Sequence, residues 1–180
     1  MEAQAIAART YLARFLERTE GKKVIPIGPR FQCWKKTSDP RFRSVARSTA
    51  GQVLRYQGIL VTGNYVSGTH KLTPGCEPRP PRDVKYESDD WDEMLVRYKK
   101  GRKEKGRTIF SGTAWTEIFV TRNEGKQRSN VSPSPIAGPV RFNRGALGQN
   151  AAVCLANNLG YETIDILKYF YGEDIALEQY

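Results

Sequence analysis

The first twenty residues constrain the fold most. Ala3, Ala5, Ala7, Ala8 and Ala13 stand among Ile6, Tyr11, Leu12, Phe15 and Leu16, with no glycine or proline before Gly21. High helix propensity and apolar residues at helical spacing predict one helix from residue 2 to about 20. The alanines let a neighbouring backbone approach closely, so this helix is expected inside the body rather than free on its surface. Gly21 is a natural stop, and Arg14 and Arg18 complement the negative end of the helix dipole.

Beyond Lys23 the pattern shifts to short strands. Val24–Ile27 is one candidate, placed at an edge by Pro26, and Phe31–Trp34 is another. A short helix is expected over Arg41–Ser48, after Pro40. Gln52–Tyr56 and Ile59–Thr62 flank Gln57-Gly58 and read as a β-hairpin, with Tyr65–Ser67 continuing its second arm. Residues 74 to 107 form a divergent insertion: a proline-rich connection, an N-cap at Ser88–Asp90, a helix over Trp91–Lys100 and a basic run to Arg107. Thr108–Phe110 and Trp115–Val120 mix aromatic and β-branched residues and read as strands. Asn123-Glu124-Gly125 is turn chemistry. Helices are expected over Asn150–Asn158 and Thr163–Phe170. The fold class is α+β: one β-rich domain over residues 1–180, with an N-terminal Ala-rich helix and two C-terminal helices. Close approach among these three helices is expected through Ala5, Ala8, Ala152 and Ala156.

A chain of 180 residues with 39% hydrophobic content is long enough to bury a core. No apolar run approaches membrane-spanning length, and the start lacks a signal-peptide pattern. The net charge of +10 favours anionic partners. Cys33, Cys76 and Cys154 form no C-x-x-C pair, so no disulfide framework is expected; Cys33 and Cys154 read as small buried hydrophobes. The sole histidine, His70, has no nucleophile elbow beside it. Its spacing from the cysteines carries no zinc signature, so no metal is expected. No P-loop, dinucleotide fingerprint or calcium loop is present, and no cofactor is expected. Asp89, Asp90, Asp92 and Glu93 read as helix-start acids.

Four blocks, in order, resemble one family. They are Ala3–Tyr11, Gln32-Cys33-Trp34, Thr49–Gly58 with its Thr-x-Gly-x-hydrophobic-Leu-x-Tyr-x-Gly pattern, and Gly160–Gly172. Together they resemble the stage II sporulation protein D family, which includes the amidase-enhancer proteins. Its members cleave peptidoglycan glycan strands as lytic transglycosylases or assist other wall enzymes. The resemblance implies a groove lined by Gln32, Tyr65, Ser67, Asn143 and Gln149, all able to hydrogen-bond a sugar or a polypeptide.

The chemistry of that family departs here. A lytic transglycosylase needs a carboxylic acid, its pKa raised by burial, acting as acid and then base. The family's acid lies in a Glu-Met-Pro-type segment upstream of the Ala-Gln-Ala helix. Glu2 is the nearest acid in this chain, and it reads as a first-turn residue complementing the dipole. The family's Gly-His-Gly-Val-Gly-Met-Ser-Gln block becomes Asn143-Arg144-Gly145-Ala146-Leu147-Gly148-Gln149. Asn143 stands where the histidine belongs, and an amide does not titrate near neutral pH.

The expected function is therefore peptidoglycan binding or remodelling by a catalytically degenerate domain. A phage tail or contractile injection particle is one expected carrier to the cell envelope. The partners expected are peptidoglycan or an anionic wall polymer, and tail or baseplate proteins. One alternative is a structural component of such a particle without glycan binding. Another is an active transglycosylase whose catalytic segment precedes Met1. A cytoplasmic location is the alternative to a particle. Nucleic acid is not an expected partner. Lys99, Lys100, Arg102 and Lys103 are the candidate anion-binding residues, against the plainer reading of a solvated loop.

Overall fold

The computed structural model describes residues 1–20, 39–79, 115–136 and 142–180. These residues form an α+β fold. Its order is α1 (Glu2–Arg18), α2 (Pro40–Ser48), β1 (Gln52–Tyr56), β2 (Ile59–Leu60), β3 (Asn64–Val66), a 3-10 turn over Trp115–Phe119 and a second over Arg128–Asn130. There follow β4 (Ala146–Gly148), α3 (Gln149–Leu159), α4 (Thr163–Tyr171) and β5 (Ala176–Gln179). The expected strands at Val24–Ile27, Phe31–Trp34 and Thr108–Phe110, and the helix at Trp91–Lys100, lie outside the described residues.

Helix α1 is buried along Ala3, Ile6, Ala7, Thr10 and Ala13, a narrow stripe at helical spacing. The larger Tyr11, Phe15 and Leu16 lie at its margins, and Leu12 is 38% exposed. Small residues face inward because strand β3 enters very close to the helix. Gly63 adopts φ +61, and a Cβ there would stand 2.7 Å from both the Ala7 carbonyl oxygen and the Tyr11 amide nitrogen. Only glycine fits both the conformation and the space.

Two side chains of α1 then fix the next corner of the chain. The Arg9 guanidinium donates from Nη1 to the carbonyls of Thr49 (2.5 Å) and Gln52 (3.0 Å), and from Nη2 to the Ala46 carbonyl (3.2 Å) and Thr49 Oγ1 (3.2 Å). It thereby satisfies carbonyls at the C-terminal end of α2, where a cation is also favoured by the dipole. Thr10 Oγ1 donates to the Ile6 carbonyl (2.8 Å) and accepts the Leu54 amide of β1 (2.9 Å).

Strand β1 carries the larger sheet, ordered β2-β1-β5 and antiparallel throughout. Tyr56 pairs with Ile59, leaving Gln57-Gly58 as a two-residue turn with φ +51 and +74, the primed geometry that matches strand twist. Leu54 faces the main core while Val53 packs with Leu60 and Ala13. The exposed strand β5 pairs from Gln52↔Gln179 to Arg55↔Ala176. Strands β3 and β4 form a separate parallel pair, Asn64↔Ala146 to Val66↔Gly148.

The main core joins Ile6, Leu54, Val61, Leu147, Leu155, Leu167, Phe170 and Tyr171, so the N-terminal helix and both C-terminal helices share one interior. Helix α1 packs on α4, and α4 on α3. The buried alanines of these helices are Ala3, Ala7, Ala13 and Ala151, whereas Ala5, Ala8 and Ala152 are half-buried and Ala156 is exposed. The close-approach face is therefore one position away from the expected one. Gly160, in the left-handed region at φ 70, ends α3, and a Glu162–Asp165 capping box starts α4.

Trp115–Phe119 is a 3-10 turn rather than the expected strand. Thr116 and Glu117 both bond the loop that follows β3, and the Val120 amide donates back to the Glu117 carbonyl (3.0 Å). Consecutive strand residues would point to opposite faces and could not both reach that loop.

Thr10→Val keeps shape but leaves the buried Leu54 amide without an acceptor. A loss of about 1–3 kcal/mol in unfolding free energy is expected by urea titration, with an unchanged m-value.

Candidate functional site

Parallel pairing brings the C-terminal ends of β3 and β4 side by side, so Ser67 and Gln149 emerge at one edge. The loop after β3 is then pinned from two directions. The Asn150 amide donates to the Ser67 carbonyl (3.0 Å), and Asn150 Nδ2 donates to the Gly68 carbonyl (3.1 Å). Thr116 Oγ1 accepts the Gly68 amide (3.0 Å) and lies 2.8 Å from Ser67 Oγ. Glu117 Oε2 accepts the Thr69 amide (2.7 Å).

Beside this pinned loop lies a shallow cleft of about 280 Å³, lined by His70, Leu72, Thr73, Asn150, Val153, Cys154 and Asn158. Leu72 and Val153 give it apolar surface, while His70, Thr73 and the two asparagines bring donors and acceptors. That combination suits a ligand with hydroxyls or amides around apolar faces. Among the described residues, none that line it is a carboxylate.

The far wall of the cleft is covalent. Cys76 and Cys154 form a disulfide with a Cα–Cα distance of 5.6 Å across 78 residues of sequence. This corrects both the expectation of no disulfide and the reading of Cys154 as a small buried hydrophobe. Local spacing carries no sign of the pair, because packing of α3 on the 73–77 turn brings the two together. Asn158 Nδ2 also donates to the Pro74 carbonyl (3.4 Å).

Behind the loop, the buried Glu117 carboxylate has both oxygens engaged. Oε1 accepts from Arg122 Nη2 at 2.5 Å, and Oε2 holds Thr69. So committed, Glu117 anchors the loop and does not line the cleft. Tyr169 is pushed above the ordinary phenol range, mainly by burial. Tyr161 is pushed up to about 12, mainly by its hydrogen bond to the Glu124 carboxylate.

The sequence-predicted residues divide. Tyr65 is half-buried within β3, opposite Leu147, while Ser67 and Gln149 are exposed at the shared edge. Asn143 does not join them. It is buried before β4, where Oδ1 accepts the Ser134 amide (3.0 Å) and Nδ2 donates to the Ser134 carbonyl (2.6 Å). Its amide is committed to the backbone, so it lines no groove. Glu2 Oε1 accepts from Ser48 Oγ (3.3 Å) and Oε2 from Thr163 Oγ1 (2.7 Å), which ties α1 to the end of α2 and the start of α4. It is a structural junction rather than a positioned acid. Gln32, Lys99, Lys100, Arg102 and Lys103 lie outside the described residues, as does Cys33.

Sequence reasoning missed Asn150 and Asn158 as cleft residues. The signal was present: Asn150, Cys154 and Asn158 fall four residues apart along one helix face. Among the described residues, no group of three or more His, Cys, Asp or Glu is placed to hold a metal ion, and no helix is long and apolar enough to cross a membrane. The chain matches no protein-family model, and a search of curated proteins finds no match.

A disulfide that closes so long a loop stabilises chiefly by restricting the unfolded chain. Cys154→Ser is expected to lower stability by about 2–4 kcal/mol. Denatured, unreduced protein should titrate one thiol of its three cysteines, rising to three after reduction.

Proposed function

We propose that this chain binds the glycan strands of peptidoglycan in the cleft between the loop after β3 and one face of α3, without cleaving them. The carrying observation is the cleft itself: amide, hydroxyl and imidazole groups over Leu72 and Val153, beside a loop held by Asn150, Thr116 and Glu117. N-acetylated sugars present the complementary chemistry, with amides and hydroxyls around apolar ring faces.

Three further features support this reading. The sequence blocks resemble a peptidoglycan-directed family, and the Thr49–Gly58 block coincides with the end of α2, strand β1 and its turn. The two candidate acids nearest the family chemistry, Glu2 and Glu117, have their carboxylate oxygens spent on structural hydrogen bonds. General acid catalysis needs a carboxyl group free to reach a reacting oxygen, and both groups are held elsewhere. The disulfide fits a compartment outside the reducing cytoplasm, where wall glycan lies.

Sedimentation with purified peptidoglycan sacculi tests the reading. The His70→Ala, Asn158→Ala double variant changes two residues lining the cleft. It should retain the native fold by circular dichroism and bind roughly tenfold more weakly, the loss of two hydrogen bonds at about 0.7 kcal/mol each. No anhydro-muropeptides should appear in the supernatant. Undiminished binding by the double variant, or release of anhydro products by the wild type, would remove the proposal.

A further inference from the structure

Helix α2 is unusual among the helices described. None of its nine residues is buried, yet its start is capped and its end is fixed to α1. Asp39 caps its start by accepting the Arg41 amide (2.9 Å), and Arg9 satisfies the carbonyls of Ala46 and Thr49 at its end. Ser48 adds a bond to Glu2, and the buried Thr49 returns its hydroxyl to the Val45 carbonyl (2.8 Å). A helix held this firmly, with so little apolar contact, has its exposed face free for another purpose.

That face is basic. Arg41 is neutralised locally by Asp39, through a bidentate contact of its Nε and Nη2. Arg43 and Arg47 are exposed and take part in no ion pair among the described residues. They stand one turn apart, about 5–6 Å between Cβ atoms. Like charges at this spacing weaken a helix, and an anionic partner would remove that penalty. Arg47 is not needed as a C-terminal cap, because Arg9 already fills that role. Guanidinium forks match phosphate oxygens in pairs, which Lys cannot do.

We infer that Arg43 and Arg47 on α2 form a docking face for a wall polymer of repeating polyol phosphodiesters, a contact additional to the glycan cleft. The inference rests on the wall-directed reading for the identity of the polymer. Charge complementarity carries the choice of a polyanion, and the net charge of +10 adds long-range attraction. A single-stranded nucleic acid would want aromatic platforms beside the cations. Phe42, the one aromatic on α2, lies about 100° round the helix from Arg43 and further from Arg47.

The test uses soluble poly(glycerol phosphate) as the probe, by calorimetry at low and high salt, beside peptidoglycan stripped of its anionic polymer. Wild type should bind the polymer with affinity that falls as salt rises. The Arg43→Ser, Arg47→Ser variant should lose on the order of tenfold at low salt and show a shallower salt dependence. The Arg43→Lys, Arg47→Lys variant should recover part of the binding, which separates charge from fork geometry. All variants should bind stripped peptidoglycan equally well. Polymer binding unchanged in the serine variant, or tighter wild-type binding to a single-stranded oligonucleotide of equal charge, would overturn the inference while leaving the glycan cleft standing. Failure of stripped peptidoglycan to bind wild type, with arginine-dependent polymer binding intact, would instead overturn the cleft and leave α2.

Discussion

The hydroxyl of Thr10 is the contact on which the rest of the structure depends. It lies fully buried between α1 and β1, donating to its own helix and accepting from the strand. Without it the Leu54 amide would be buried and unpaired, because β1 is otherwise committed to β2 on one edge and β5 on the other. Arg9, one residue earlier, holds the end of α2 and the Gln52 carbonyl. Two adjacent side chains therefore set the register and approach of β1, and every strand of the larger sheet is positioned from it. The pair has opposite energetics: the threonine works in a dry interior, the arginine at a half-buried margin.

A second polar centre places the cleft. Asn123 is fully buried, with Nδ2 donating to the carbonyls of Ser132 (3.0 Å), Arg144 (3.0 Å) and Phe170 (2.9 Å) and Oδ1 accepting the Ser132 amide (2.8 Å). Arg144 is buried beside it, 3.8 Å above the Tyr56 ring, bonded to the Tyr171 carbonyl and paired with Asp174. These groups lock the chain entering β4 to the end of α4. Since β4 runs directly into α3, they also fix where Asn150, Cys154 and Asn158 stand. Buried polar groups satisfied this completely favour one arrangement over near alternatives.

Much of this was legible in the sequence because it depends on local rules. Alanine-rich periodicity announced α1, Gln57-Gly58 announced the turn, and the boundaries of α2, α3 and α4 fell within one or two residues of expectation. What failed depends on contacts between distant segments. Strand β5 carries Ala-Leu-Glu-Gln, which has no strand preference, and exists because β1 offers it an edge. Trp115–Phe119 has strand composition, but the buried Glu117 and the loop it anchors demand a turn. The Cys76–Cys154 pair is set by how α3 packs, which no spacing reveals. Of the candidate site, Ser67 and Gln149 stand together at the end of a parallel strand pair. Asn143 was read as a surface group from its place in a motif, and its burial against Ser134 has no local signature.

The cleft beside the loop after β3 is the centre of the account, and amide chemical shifts read it directly. Titration of isotope-labelled protein with a peptidoglycan-derived tetrasaccharide should perturb Ser67, His70, Thr73, Asn150 and Asn158 together. The Glu2, Ser48 and Thr163 amides at the helix junction should stay in place. Shifts confined to that junction or to β5, or no shifts at millimolar ligand, would contradict the assignment of the cleft.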